Sequence, residues 1–271
     1  MRQVLWSSVV ALLLAVPMPD AFSAGRVVAV IGTGDMGDSI GPKLAEKGYQ
    51  VVYGSRDPGR EAVRALVARS GQGASAALPL AAAQQGEIVV LAVPWPAMAT
   101  VARNLGSLDG KIVVDISTPA RQAADGYLQS QVDTSSAELI QQWNPGARVV
   151  KTVLAGSFVI DDPLVLGERT STFIAADDRA AKEVVARLAF DLGIEPVDAG
   201  PLRLARDIEA WARLWFVPAI QKRRLGFELR TLPNSHWYCI WDDEWYAPVA
   251  DSDNLAQFPT YHAAVPPCPA P

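Results

Sequence analysis

The fold class this sequence predicts is α/β, an open, doubly wound parallel sheet, on three observations. Short continuous apolar runs alternate with helical segments from Arg26 onward. The first run leads at once into a glycine cluster, Gly32-Thr33-Gly34-Asp35-Met36-Gly37. Half of the residues are apolar and 20% are charged, the balance of a chain that buries a core rather than staying disordered. Alternation of this kind implies right-handed βαβ crossovers with helices on both faces of the sheet.

Taken in order, Arg26–Ile31 (RVVAVI) reads as a strand buried on both faces. A helix follows with Met36, Ile40 and Leu44 one turn apart; Pro42 within it should kink it or remove one hydrogen bond, and Gly48 ends it. Gln50–Tyr53 is the second strand and Glu61–Arg69 the second helix. Ile88–Val93 is a strand broken by Pro94-Trp95-Pro96, and Ala97–Leu105 is helical. Lys111–Asp115, then a helix over Ser135–Gln142, then the strand Arg148–Lys151 continue the pattern. A smaller α/β extension holds a strand over Thr172–Ala176, a helix over Arg179–Leu192, a strand over Glu195–Val197 and a helical stretch Leu202–Arg224 interrupted near Pro218.

The expected organisation is a leader over 1–24, an α/β domain over 25–230 (25–150 the larger half, 151–230 the smaller part) and a Trp/Pro-rich tail over 231–271. Arg2, the short apolar run Val4–Val16 and Ala21-Phe22-Ser23-Ala24 fit a cleaved secretory signal, which predicts an exported or periplasmic protein. Translation starting at Met18 would instead leave it in the cytoplasm. The apolar run is too short to span a membrane. A net charge of −5 argues against general nucleic-acid binding, which needs a basic face.

Both histidines (His236, His262) and both cysteines (Cys239, Cys268) fall in the tail. Residues 25–230 therefore exclude thiolate nucleophiles, histidine triads and Cys/His zinc sites. No metal site is expected, His236 and Cys239 beside Asp242-Asp243-Glu244 making a weak set. The glycine cluster carries the chemistry. In Gly-x-Gly-x-x-Gly after a strand and before a helix, Gly32 allows the tight turn, Gly34 the approach of a pyrophosphate, and Gly37 close packing of helix on strand. That makes a Rossmann-type dinucleotide site with Thr33, Asp35 and Met36 in its loop. The second strand ends in Gly54-Ser55-Arg56-Asp57, where Ser55 and Arg56 suit a ribose phosphate and so NADP(H) over NAD(H). Asp57 reads as a cap of the helix that follows. Val93 and Pro94, at one strand end, and Ser117, in Ile116-Ser117-Thr118-Pro119 after the next, should face the nicotinamide half. Trp95 reads equally as a stacking partner of a ligand or as packing.

GTGDMG, VVYGSRDP, IVVLAVPW, KIVVDISTP and the late stretch Leu192–Leu202 resemble the NADPH-dependent reductases of coenzyme F420, a deazaflavin hydride carrier, and the NADPH domain of membrane ferric reductases. The likeness spans about Arg26 to Arg230. It implies NADPH at Gly32–Gly37, Ser55 and Arg56, with Val93, Pro94 and Ser117 near the nicotinamide. The segment lining the second cofactor in such reductases often carries a His or Asn; here it reads Thr152-Val153-Leu154-Ala155-Gly156-Ser157, with neither.

The leading reading is hydride transfer from NADPH to a small-molecule acceptor, flavin-like or the deazaflavin F420, in a chain compatible with a homodimer. The carriers do the chemistry, so a domain without His or Cys suffices, and the rate should be nearly flat in pH. A small-substrate dehydrogenase or imine reductase would need a proton donor, for which Lys151 at a strand end is the candidate. A non-catalytic NADP(H)-binding protein is the alternative from another class.

Overall fold

The structure, a computed structural model, describes residues 22–71, 73–154, 156–223 and 229. Nearly all of the expected leader and the whole tail, with its tryptophans, histidines and cysteines, lie outside the described residues. One eight-stranded sheet runs through the molecule in the order β10-β9-β8-β5-β4-β1-β2-β3. Its strands are β1 (Val27–Ile31), β2 (Gln50–Gly54), β3 (Ser75–Ala77), β4 (Ile88–Leu91), β5 (Ile112–Asp115), β8 (Arg148–Thr152), β9 (Ser171–Ala175) and β10 (Glu195–Gly200). The helices are α1 (Asp35–Glu46), α2 (Glu61–Ser70), α3 (Pro79–Gln85), α4 (Trp95–Arg103), α5 (Ser136–Trp143), α6 (Ser157–Asp161), α7 (Arg179–Asp191), α8 (Ala205–Trp215) and α9 (Val217–Ile220), with a 3-10 turn at Leu202–Leu204.

β1 shows why the apolar runs are continuous. Side chains alternate across a strand, so Val28 and Val30 join the core layer on one face while Ala29 and Ile31 join the layer on the other. β1 lies between β2 and β4, both parallel to it, so the chain departs to one side after α1 and returns to the other. That reversal opens a crevice at the carboxyl ends of β1 and β4, where ligands bind in open sheets.

Two features depart from the sequence reading, and Pro42 removes one helix hydrogen bond as expected. The sheet is parallel from β3 to β8, but β9 runs antiparallel to β8, with Lys151 opposite Ala175. A parallel crossover needs a helix laid on the sheet face; the connection here holds α6, five residues long and packed on α1. β3, α3 and a hairpin of β6 (Ala120–Gln122) and β7 (Leu128–Ser130) went unread, being too short for periodicity to register. Pro42 stays inside α1, which runs on unbroken. The Asp38 carbonyl that would bond the missing N–H accepts instead from the Arg69 guanidinium at 3.2 Å, and the same guanidinium pairs with the Asp38 carboxylate at 2.7 Å.

The expected leader boundary falls inside packed structure. Ser23 is fully buried, and the Phe22 ring lies 4.5 Å from the Arg26 guanidinium carbon and 5.6 Å from that of Arg187. No helix of the described residues is long and apolar enough to cross a membrane.

Candidate functional site

The crevice holds a cleft of about 510 Å³. Gly32, Thr33 and Gly34 line it from the β1–α1 turn, Gly54, Ser55, Arg56 and Asp57 from the end of β2, and Ala92, Val93 and Pro94 from the end of β4. Three segments distant in sequence thus meet, because parallel strands present their carboxyl ends together.

The glycines act differently. Gly32 has φ +114°, and a Cβ there would come within 2.2 Å of the Ala92 carbonyl oxygen. At Gly37 a Cβ would meet the Gly32 carbonyl oxygen at 2.1 Å, so this glycine lets α1 close onto the turn. Gly34 is exposed, has ordinary φ of −90°, and a Cβ there would meet no protein atom within 4 Å. Only Gly34 keeps space clear on the ligand side, at the N-cap of α1, where unpaired N–H groups and the helix dipole favour an anion. Asp35, Met36 and Gly37 are not among the lining residues; Asp35 is exposed and Met36 packs on the core.

At the end of β2, Ser55 is buried and its hydroxyl donates to the Asp57 carbonyl at 3.1 Å. Asp57 does not cap α2: its carboxylate accepts from the Gly59 N–H at 3.1 Å, and Arg60 occupies the cap position. Arg56 is exposed on the cleft, and Arg60, which the sequence reading passed over, lines it too. The spacing of Arg60 four residues past Arg56 was its signal. Trp95 stacks on Trp143, ring centroids 6.2 Å apart, with Arg103 over the second ring, so its role is packing.

Ser117 does not line the cleft. Its hydroxyl and N–H donate to Asp115 Oδ1, at 2.7 and 2.9 Å, and its carbonyl accepts from Lys151 Nζ. Lys151, the candidate proton donor, is fully buried and lies 3.0 Å from Asp115 Oδ2 and 3.2 Å from Glu209 Oε1. It is unavailable to a substrate in the cleft. Asp115 and Glu209 also escaped the sequence reading. Their signals were an acid opposite Lys151 in the β5–β8 register, and an acid on the buried stripe Ala205, Ile208, Glu209, Ala212 of α8.

A doubly wound sheet with a glycine turn at a helix N-terminus and two arginines on the rim of the same cleft is the architecture of an NADP(H)-binding Rossmann-type protein. Residues 27–119 match the family described as NADP oxidoreductase, coenzyme F420-dependent. Over this region the chain is similar to that family. The F420-dependent NADP reductase of Methanothermobacter marburgensis is 28% identical over 225 residues, 77% of this chain and 99% of that protein. Metalloreductase STEAP3 of Rattus norvegicus is 30% identical over 188 residues, which are 68% of this chain. The chain spans only 36% of that relative's length. A crystal structure assigned to an F420-dependent NADP reductase from Arthrobacter sp. FB24 superposes with TM-score 0.68 at 28% identity, covering 77% of this chain and 100% of that one.

Proposed function

We propose that this chain moves hydride between NADPH and a flavin-like or deazaflavin (F420) acceptor. The observation that carries the reading is the single cleft joining the open side of Gly34, the Ser55–Arg56–Arg60 rim and the Val93–Pro94 turn. In this reading the α1 N-terminus and the Gly32–Gly34 backbone bind the pyrophosphate, while Arg56, Arg60 and Ser55 take the ribose phosphate. The Ala92–Pro94 turn then borders the nicotinamide. The bound carriers supply the redox chemistry, NADPH giving the hydride and the second carrier accepting it. The chain's own residues bind, orient and exclude water. Residues 25–230 hold no His or Cys, and Lys151 is sealed in the core, which favours carrier-to-carrier transfer over a reductase that must protonate its substrate. We also place the protein outside the cytoplasm, exported by its N-terminal segment, and as a homodimer using the exposed apolar stretch Phe158, Leu164, Val165.

The assay is NADPH oxidation with F420 or free FMN as acceptor, with NADH as the control. Coupled reduction of either carrier by NADPH, much slower with NADH, is the expected result. Tight NADPH binding without turnover on either carrier would make the chain a binding protein instead.

A further inference from the structure

Four polar side chains meet under the carboxyl ends of β5 and β8: Asp115, Lys151, Ser136 at the start of α5, and Glu209 of α8. Each is at most 1% exposed. Lys151 Nζ donates to Asp115 Oδ2 at 3.0 Å, to the Ser136 hydroxyl at 2.9 Å and to the Ser117 carbonyl, and it lies 3.2 Å from Glu209 Oε1. The Ser136 N–H donates to Glu209 Oε1 at 2.8 Å.

Counting hydrogens sets the protonation state. The Ser136 hydroxyl is within hydrogen-bond reach of Asp115 Oδ2 and, at 2.6 Å, of Glu209 Oε1. It has one hydrogen to give. The second oxygen–oxygen contact needs a proton of its own; Asp115 already accepts from the Ser117 hydroxyl, the Ser117 N–H and Lys151, so Glu209 is the acid left to carry it. With both acids ionised, the cluster would also hold an uncompensated negative charge in the core, which is costly. One proton on Glu209 removes both difficulties, leaving a neutral Lys151–Asp115 pair. Burial pushes the Glu209 carboxyl above the ordinary carboxylate range, with Lys151 opposing.

The remaining surroundings hold no competing acid among the described residues. On α5, Glu138 is turned to the surface and bonded to Arg206 of α8 at 2.6 Å. β7, the 3-10 turn and α9, which also pack on α8, contribute no acid.

The cluster also fixes a loop. It occupies the hydroxyl, the N–H and the carbonyl of Ser117 together. Asp115 stands opposite Leu91 in the sheet, so the Ser117 loop leaves β5 beside the Ala92–Pro94 turn that lines the cleft. We propose that Glu209 and Lys151 are positioning residues for the nicotinamide side of the cleft, forming with Asp115 and Ser136 a buried latch that holds the Ser117 loop only while Glu209 keeps its proton. The positional half rests on the reading that this turn borders the nicotinamide; the proton does not.

The test uses the full chain as wild type, Glu209→Gln, Glu209→Ala and Lys151→Met. Without cofactor, the infrared difference between wild type and Glu209→Gln at neutral pH should contain the C=O stretch of a protonated carboxylic acid. Between the ordinary carboxylate value and the raised folded value, the folded protein holds a proton that the unfolded chain has released. Wild-type stability should therefore fall as pH rises through that window, and this slope should vanish in Glu209→Gln. With NADPH and free FMN, Glu209→Ala and Lys151→Met should slow single-turnover transfer about tenfold or more, the scale of small misplacements. NADPH affinity should be unchanged, and Glu209→Gln should restore the rate. A purely ionised carboxylate band, an unaltered pH slope in Glu209→Gln, or wild-type transfer by Glu209→Ala would overturn the proposal. A wild type that does not turn over NADPH refutes the hydride-transfer reading, while the infrared and pH measurements still judge the latch. Those two measurements also decide if the alanine and methionine variants fail to fold.

Discussion

Replacing Gly34 with valine separates binding from folding at the glycine turn. The backbone at Gly34, φ −90° and ψ −166°, is one that any L-residue adopts, and a Cβ there meets no protein atom within 4 Å. Stability should change by no more than about 1 kcal/mol, since a poorer N-cap is offset by a less flexible unfolded chain. For a domain of this size that is a melting shift of about 4 °C at most. The valine side chain nevertheless stands where a pyrophosphate must approach the α1 N-terminus. Two backbone N–H bonds to phosphate, at about 1.5–3 kcal/mol each, would be lost or badly bent. A loss on the order of 3 kcal/mol weakens NADPH about 100-fold or more. Gly37→Ala is the contrasting control: its Cβ would lie 2.1 Å from a backbone oxygen that cannot swing away, so it should cost more than about 3 kcal/mol in folding. Calorimetric titration with NADPH and thermal melts of both variants provide the measurement. Gly34→Val that binds NADPH as wild type does, or that melts as low as Gly37→Ala, would refute the reasoning.

Arg56→Ala should weaken NADPH roughly 10–100-fold, the worth of a hydrogen bond to a charged group, with little change for NADH; Arg60→Ala should act in the same direction. Equal affinities of the wild type for the two cofactors would overturn that placement. Export with cleavage predicts a terminus near Ala24 or Gly25 in mass spectrometry of protein from its native host, whereas an intact Met1 or a start at Met18 would overturn the proposed export. A chain beginning at Gly25 should also melt below one beginning at Phe22, by about 1–2 kcal/mol of stability, because it lacks buried Ser23 and the Phe22 ring beside two guanidinium groups. Equal melting of the two would show that these contacts contribute nothing.

The sequence by itself determined the doubly wound core and the strand ends that meet at the cleft. Both depend on local order: the apolar runs of β1, β2, β4, β5 and β8 are buried on both faces, and Gly32–Gly34, Ser55 and Arg56 follow directly on strand ends. What only tertiary structure decided involves partners far apart in the chain. The reversal at β9 depends on what α6 packs against, and the fate of Pro42 depends on Arg69 reaching the carbonyl it frees. Residue type alone left residues 25–230 without a group of ordinary pKa near neutrality, yet burial raises Glu209; the stripe of α8 marks it as buried but does not say which charges it meets. Lys151 is the plainest case. At a strand end it reads as a cleft lysine, but Asp115, Ser136 and Glu209, brought in from three other elements, close over it and make it part of the core. Local sequence sets which face a strand residue takes; desolvation and charge pairing are set by whichever distant residues the fold delivers to that face.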